Sequence, residues 1–172
     1  MPPTSDPECQ GKGIPVHLHQ LGRPVDGNFQ PSELLFRRFA FGKDTLKHIL
    51  VFNRMSINRE KHGHEADDAL WNCEQGGRHE NCGVAEIPAG AFSQKWQHPT
   101  EPNTFYSMRP EHRPLRCNYP HTEVVVYKEG NGTETLQELI KPTSVKLKIR
   151  EELQKHLKVA LPIERQGETF SV

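Results

Sequence analysis

The sequence predicts an α+β domain, in which a small, mostly antiparallel sheet over residues 33–128 packs against C-terminal helices that begin at residue 133. Short segments rich in β-branched and aromatic residues recur between polar loops up to residue 128. A helical spacing of apolar residues follows in the last third. The 172 residues suit one domain, and an apolar content of 34 % allows a small core surrounded by long loops.

The first part of the chain, residues 1–32, is expected to be an extended or flexible arm, and residues 33–172 the single folded domain. Six prolines fall in the arm. Proline fixes φ and removes a backbone donor, which disfavours regular structure. Within the arm, His17-Leu18-His19 is the candidate docking patch, and the simpler interpretation is a solvated pair of histidines.

Five segments have the composition of strands. They are Glu33–Phe41 (where a short helix competes), Ile49–Ile57, Gly83–Ile87, Phe105–Met108 and Thr122–Lys128. Between them, helical turns are predicted at Glu65–Trp71 and Pro88–Trp96.

The C-terminal third is predicted to be helical. Glu129–Gly132 is a turn or linker, and Thr133–Ile140 a short helix that Pro142 stops. Ser144–Val159 is the clearest helix, because apolar residues recur every four positions on one face. These are Val145, Ile149, Leu153 and Leu157. The alternation in Val145–Ile149 leaves the start of a strand as the competing prediction.

Charge and cysteine content restrict the compartment and the partners. Lys+Arg and Asp+Glu are 22 each, so the net charge of zero disfavours non-specific binding to nucleic acid or to an anionic membrane. The sequence has neither an apolar run that could span a bilayer nor the pattern of a signal peptide, so a cytoplasmic location is expected. There, all four cysteines would be thiols or metal ligands rather than disulfides. They are Cys9, Cys73, Cys82 and Cys117.

The polar stretch Arg109–Glu123 is the main candidate for an active site, because acid–base groups precede the apolar run that follows Glu123. His112 and His121 titrate near neutrality and are candidates for proton transfer. Glu123 lies two residues from His121, so in a strand both side chains face the same way. Arg113 and Asn118 are candidate substrate ligands, together with Arg109 and Arg116. The alternative is a solvated polar loop.

Two upstream segments offer further polar groups for the same pocket. Arg37 and Arg38 lie within an apolar segment, where one guanidinium would bind an anion and the alternative is a structural ion pair. Ser56 and Arg59 end a predicted strand, where Ser56 is a candidate catalytic residue and Arg59 a candidate substrate ligand. Ordinary turn chemistry is the competing interpretation.

Zinc is the candidate cofactor. Cys73 and Cys82 bracket His79, and His62-Gly63-His64 lies upstream. Zinc favours Cys and His ligands, although eight residues separate the two cysteines, unlike a zinc knuckle. The alternative is two free thiols and a loop histidine.

Five segments occur in the order Leu35–Arg38, Met55–Arg59, Gly83–Ile87, His112–Leu115 and Asn118–His121. Over residues 33–128 this order resembles small uncharacterised bacterial proteins with an Arg-Arg strand, a Ser-containing strand and an Asn-x-x-His loop. The resemblance implies no established activity.

The order of Arg37 or Arg38, Ser56 and Glu123 also resembles the Arg–Ser–Glu order of ADP-ribosyltransferases, which implies a transferase.

The function we expect is a cytosolic enzyme acting on a nucleotide or other phosphate-bearing substrate. In it, arginines hold the anion, His121 and His112 move protons and Glu123 stabilises charge. The alternative is a non-catalytic interaction module, zinc-stabilised and joined to a larger complex through the N-terminal arm. Nucleic-acid binding through basic C-terminal residues is a third hypothesis. Those residues are Lys141, Lys146, Lys148, Arg150, Lys155 and Lys158.

Overall fold

Strand pairing builds one antiparallel sheet that carries most of the chain. The computed structural model describes residues 4–43, 45–50, 54–61, 64–137, 139–165 and 168–170. The strands in these ranges are β1 (Leu34–Ala40), β2 (Met55–Arg59), β3 (Cys82–Pro88), β4 (Lys95–Gln97), β5 (Thr104–His112), β6 (His121–Gly130), β7 (Thr133–Gln137), β8 (Lys158–Leu161), β9 (Ile163–Arg165) and β10 (Glu168–Phe170). Of the described strands, eight form a sheet in the order β4-β5-β6-β2-β1-β3-β8, with β7 also paired to β6, while β9 and β10 form a separate hairpin.

The helices are short. They are α1 (Pro7–Gly11), α2 (Leu46–Ile49) and α3 (Thr143–Gln154), with 3-10 turns at Val16–Leu18, Ala66–Leu70 and Ala89–Phe92. An α+β fold with an antiparallel sheet is therefore confirmed. The helical turns predicted at Glu65–Trp71 and Pro88–Trp96 are present within those bounds.

The prediction that helices fill the chain from residue 133 onward is wrong. Thr133–Gln137 is strand β7, which forms a hairpin with β6. Asn131 and Gly132, at the tip, have φ of 51° and 75°, the left-handed pair that a tight hairpin requires. The chain then returns to the sheet as β8 after α3. Part of the predicted strand Ile49–Ile57 lies outside the described residues; Ile49 ends α2, and Met55 begins β2.

One face of the sheet is the core, and α3 covers it. The predicted apolar stripe is correct for Val145, Ile149 and Leu153, which are buried against the sheet, whereas the helix ends at Gln154 and Leu157 lies beyond it, partly buried. Alternation along each strand turns the other residues to the opposite, polar face. That face carries the candidate site.

The N-terminal arm packs on the domain over its described residues. Cys9 and Cys117 form a disulfide across 108 residues of sequence. With Ile14 and Leu18 they make a small second core. The expectation that all four cysteines would be thiols or metal ligands is therefore wrong for this pair, because sequence spacing does not reveal a contact made by folding.

Polar contacts hold the same arm. Buried Asp6 pairs with Arg116 at 2.8 Å and accepts the N–H of Glu8, which caps α1. The main chain of Leu18 accepts a hydrogen bond from the N–H of Tyr119 at 2.8 Å. His19, fully buried, uses both ring nitrogens on the main chain of Asp6 and Ile14. Residues 4–32 are thus docked rather than loose. Their prolines limit regular structure without preventing side-chain packing.

Within the described ranges, none of the helices is long and apolar enough to cross a lipid bilayer.

Candidate active site

Three neighbouring strands bring the main candidate residues onto the polar face. In the β2–β6 ladder, Ser56 lies opposite Glu123 and Asn58 lies opposite His121. The β1–β2 ladder pairs Phe36 with Asn58, so Arg38, two residues further along β1, faces the same way. The expected convergence of an arginine, Ser56, His121 and Glu123 on one face is therefore present.

The hydroxyl of Ser56 and the ring of His121 form a hydrogen bond. The distance from Ser56 Oγ to His121 Nε2 is 2.9 Å, and His121 Nδ1 lies 2.7 Å from the main-chain oxygen of Arg113. A carbonyl oxygen only accepts, so Nδ1 carries a proton, and Nε2 is the nitrogen placed to accept the proton of Ser56. His121 is 7 % exposed and Ser56 is exposed. A nucleophile in reach of solvent, bonded to an oriented base, is the geometry that nucleophilic catalysis needs.

Arg113 links Glu123 to this pair. Its Nη1 lies 2.8 Å from Glu123 and its Nη2 lies 2.7 Å from Glu111. Glu111 is also hydrogen-bonded by Tyr127 at 2.6 Å. Burial would raise the pKa of Glu111, but the hydrogen bonds from Tyr127 and Arg113 hold it below its ordinary value. The two carboxylates fix the segment whose carbonyl orients His121.

A pocket of about 110 Å³ opens beside Ser56. Its described lining residues are Phe36, Arg37, Arg38, Ser56, Ile57, Asn58, Ala69, Trp71 and Asn118. This lining contains two arginines and no carboxylate, so the pocket is electrostatically suited to an anion.

The two arginines differ in their contacts. Arg37 donates to the main-chain oxygens of Ser56 at 2.6 Å and Ile49 at 3.3 Å, where β1 and β2 separate. Arg38 has no hydrogen-bond or ion-pair partner among the residues that the structure describes. Burial first, and the charge of Arg38 second, lower the pKa of Arg37. A bound anion would relieve that repulsion.

Two asparagines form part of the pocket wall. Asn118 Nδ2 donates to Asn58 Oδ1 at 3.0 Å, and the Oδ1 atom of Asn118 is buried without a hydrogen-bond partner among the described residues.

His112 and Arg59 do not reach the pocket. Buried His112 accepts from the N–H of Asp26 at 2.8 Å and donates to the main-chain oxygen of Tyr119 at 2.7 Å, so both nitrogens are occupied. Arg59 is fully buried and pairs with Glu33 at 2.7 Å. Arg59 follows Asn58 in β2, and His112 lies opposite Thr122, the residue after His121, so alternation turns both side chains to the other face of the sheet.

The predicted zinc ligands Cys73, His79 and Cys82 do not gather. In the described part of the chain, three donor atoms within 4.8 Å of one another come from His17, His64 and Asp68 instead. The thiol of Cys73 donates to the main-chain oxygen of Cys117 at 3.0 Å, and burial raises its pKa to about 11. It is therefore a half-buried neutral thiol rather than a ready thiolate ligand.

Sequence reasoning missed two parts of the site. Trp71 lines the pocket and also packs against the second core of the arm. An isolated tryptophan in a polar loop could have indicated that Trp71 lines a pocket. The carbonyl of Arg113 was not predictable, because a main-chain group leaves no trace in a residue pattern.

Comparison of the chain with models of protein families, with curated proteins and with solved structures found no match. The resemblances described above therefore depend on the quoted residues alone.

Proposed function

We propose that this protein is an enzyme that cleaves or transfers a phosphate-bearing ester, with Ser56 as nucleophile and His121 as general base. The observation that carries the proposal is the Ser56–His121 hydrogen bond at 2.9 Å beside a pocket lined by two arginines. A serine hydroxyl is a weak nucleophile until a neighbouring base takes its proton. The neutral, oriented ring of His121 supplies that base.

The reaction proceeds in two steps. Ser56 Oγ attacks phosphorus while His121 Nε2 takes the hydroxyl proton, and the departing alkoxide then receives that proton from Nε2. His121 Nε2 then takes a proton from water or an acceptor alcohol, whose oxygen attacks phosphorus, and returns that proton to Ser56 Oγ as the P–O bond to Ser56 breaks. The carbonyl of Arg113, bonded to Nδ1–H, stabilises the imidazolium during both steps. Arg38 holds the negative oxygens of the substrate.

The pocket volume limits what enters. Sites for drug-sized ligands hold roughly 300–1,000 Å³, whereas this pocket holds about 110 Å³. It therefore accepts the phosphate and its reacting bond, and the remainder of a nucleotide lies outside, towards Trp71 and solvent. Glu123 positions Arg113 and does not touch the reacting atoms.

An activity-based probe tests this assignment. A fluorophosphonate forms a P–O bond with an activated serine and releases fluoride, so mass spectrometry of the labelled wild-type protein should identify Ser56. His121→Gln should abolish labelling, and Ser32→Ala, at another exposed serine, should leave it unchanged. In parallel, an aryl phosphate monoester, an aryl phosphate diester and an uncharged aryl acetate identify the preferred ester. Labelling that survives in Ser56→Ala would refute the proposal.

The non-catalytic alternative has less support. It needs the N-terminal arm to reach a partner, yet Ile14 and Leu18 of the arm are buried in the protein itself. Binding of nucleic acid through the basic residues of the C-terminal third stays a prediction.

The cytoplasmic location remains a proposal, and the Cys9–Cys117 disulfide weighs against it, because reducing compartments disfavour structural disulfides. Alkylation of protein thiols at the moment of cell lysis, followed by mass spectrometry, decides whether the bond exists in the cell.

A further inference from the structure

We infer that His17, His64 and Asp68 form a binding site for a divalent transition-metal ion, with zinc as the expected occupant. His17 belongs to the docked N-terminal arm, whereas His64 precedes the 3-10 turn Ala66–Leu70 and Asp68 lies within it. One ligand-type atom from each lies within 4.8 Å of the others. The site is separate from the pocket at Ser56.

The distances fit an ion. His17 Nε2 lies 2.9 Å from one carboxylate oxygen of Asp68, and His64 Nδ1 lies 3.7 Å from the other. Zinc binds nitrogen and oxygen at about 2.0–2.1 Å in tetrahedral geometry, which places neighbouring donor atoms about 3.3 Å apart. The two observed distances reach different oxygens of Asp68, and all three donor groups lie within 4.8 Å of one another, so small side-chain rotations would bring two nitrogens and one oxygen to that spacing.

His64 supplies an independent indication of a ligand. Its side chain is fully buried, and neither ring nitrogen has a hydrogen-bond partner among the residues that the structure describes. A buried polar group without a partner is costly, and such a group is rare in a folded protein. A metal ion at Nδ1 would give that nitrogen a partner.

The surroundings hold the carboxylate in place. Asp68 accepts the main-chain N–H of Glu65 at 3.0 Å, which fixes its rotamer. The nearby cation, Arg23, donates to the main-chain oxygen of His17 at 2.8 Å and stacks on the ring of Tyr119. Two imidazoles and one carboxylate are a donor set that zinc uses with a fourth position left for water. His17, whose side chain is 45 % exposed, gives the ion access from solvent.

Metal binding by the full-length protein tests the inference. The protein is purified without thiol reductant or affinity tag, stripped with a chelator, and titrated with zinc by calorimetry and with cobalt by absorption. We expect one zinc per chain and the visible cobalt bands of a low-coordinate N/O site. The side chain of His17 is half-exposed, so His17→Ala should leave the fold intact. The substitution should weaken zinc binding at least about 100-fold, since loss of even an outer-sphere partner lowers metal affinity about 10–100-fold.

Two further variants separate this site from others. His64→Ala should also lose zinc, and its circular dichroism reports whether it folds. His79→Ala, in the set predicted from the sequence, should bind zinc like the wild type. Absence of saturable binding at micromolar zinc, or zinc binding that depends on His79 and not on His17, would overturn the inference.

Discussion

Ser56 and His121 meet across a diagonal of the β2–β6 ladder, because the residue directly opposite Ser56 is Glu123. This diagonal contact brings the imidazole of His121 within hydrogen-bond distance of the Ser56 hydroxyl, and the Glu123 carboxylate pairs with Arg113 instead. This arrangement depends on register. A slip of one residue would send Ser56 and His121 to opposite faces of the sheet.

Replacing either member of the pair should remove turnover. His121→Gln takes away the base, and general-base catalysis is typically worth about 10²–10⁴-fold in rate. Ser56→Ala takes away the nucleophile. The rates are measured with the phosphate ester that the wild type prefers, and thermal unfolding checks the fold. Equal rates for His121→Gln and the wild type would contradict the assigned role.

Glu123→Gln should lower kcat about tenfold and leave KM nearly unchanged, since Glu123 positions the base through Arg113 rather than binding substrate. The pH profile of kcat should move as well, because His121 becomes less firmly oriented. Glu129→Gln breaks the exposed pair with Lys95 further along β6 and is the matched control. It should change neither kcat nor the pH profile. A structural role alone would change stability without moving the pH profile.

Breaking the buried ion pair of Arg59 and Glu33 should destabilise the fold strongly. Arg59→Met leaves a buried carboxylate uncompensated, and such losses cost about 3–5 kcal/mol. The double variant Arg59→Met with Glu33→Leu should lose less than Arg59→Met alone, because no charge is left unpaired. Urea unfolding of the four proteins measures the coupling, and simple additivity would contradict the pairing.

Reduction of the Cys9–Cys117 disulfide should lower the free energy of unfolding by about 2–5 kcal/mol. It should also slow turnover, because Trp71 rests on the second core and lines the pocket. Cys9→Ser should reproduce both effects. Cys82→Ser, at a free cysteine, should reproduce neither.

The attachment of the arm should weaken in acid. The hydrogen bond from Arg116 holds the pKa of Asp6 below its ordinary value of 3.8, despite the opposing effect of burial. The unfolded chain therefore binds the proton more readily, so this stabilisation is complete above about pH 3.8 and is lost as the pH falls through the folded-state pKa.

Asp6→Asn, which still caps α1, should reduce stability at neutral pH, and its difference from the wild type should vanish in strong acid. Asp67→Asn, at an exposed pair with Arg78, provides the control. Urea midpoints across the acid range supply the measurement. A difference that persisted in strong acid would contradict the assignment to the Asp6 charge.

Features that follow from side-chain periodicity were predictable. Alternation placed His121 and Glu123 on one face, and four-residue spacing identified the buried residues of α3. The strand β7 was missed, since most of its side chains are exposed and polar. The segment that contains Asn131 and Gly132 was interpreted as a turn or linker before a helix, although Asn-Gly is a strong hairpin signal.

Long-range contacts were not predictable from one sequence. The Cys9–Cys117 bond joins segments 108 residues apart, and His17 meets Asp68 across 51 positions. Arg59 and Arg38 are both strand arginines with similar neighbours, yet one is fully buried and the other lines the pocket. Their difference comes from which face each strand turns inward, and tertiary packing decides that.

The Cys9–Cys117 disulfide joins the arm to the β5–β6 connection and so changes how the molecule extends under a pulling force. When the two ends are drawn apart, the 108 peptide steps between Cys9 and Cys117 cannot lengthen. At roughly 3.5 Å per residue, a contour length of about 380 Å cannot extend until the disulfide is reduced. In a single-molecule stretching trace the oxidised chain should therefore extend as two tails around an intact ring, and the hidden length should be released only when reductant is added.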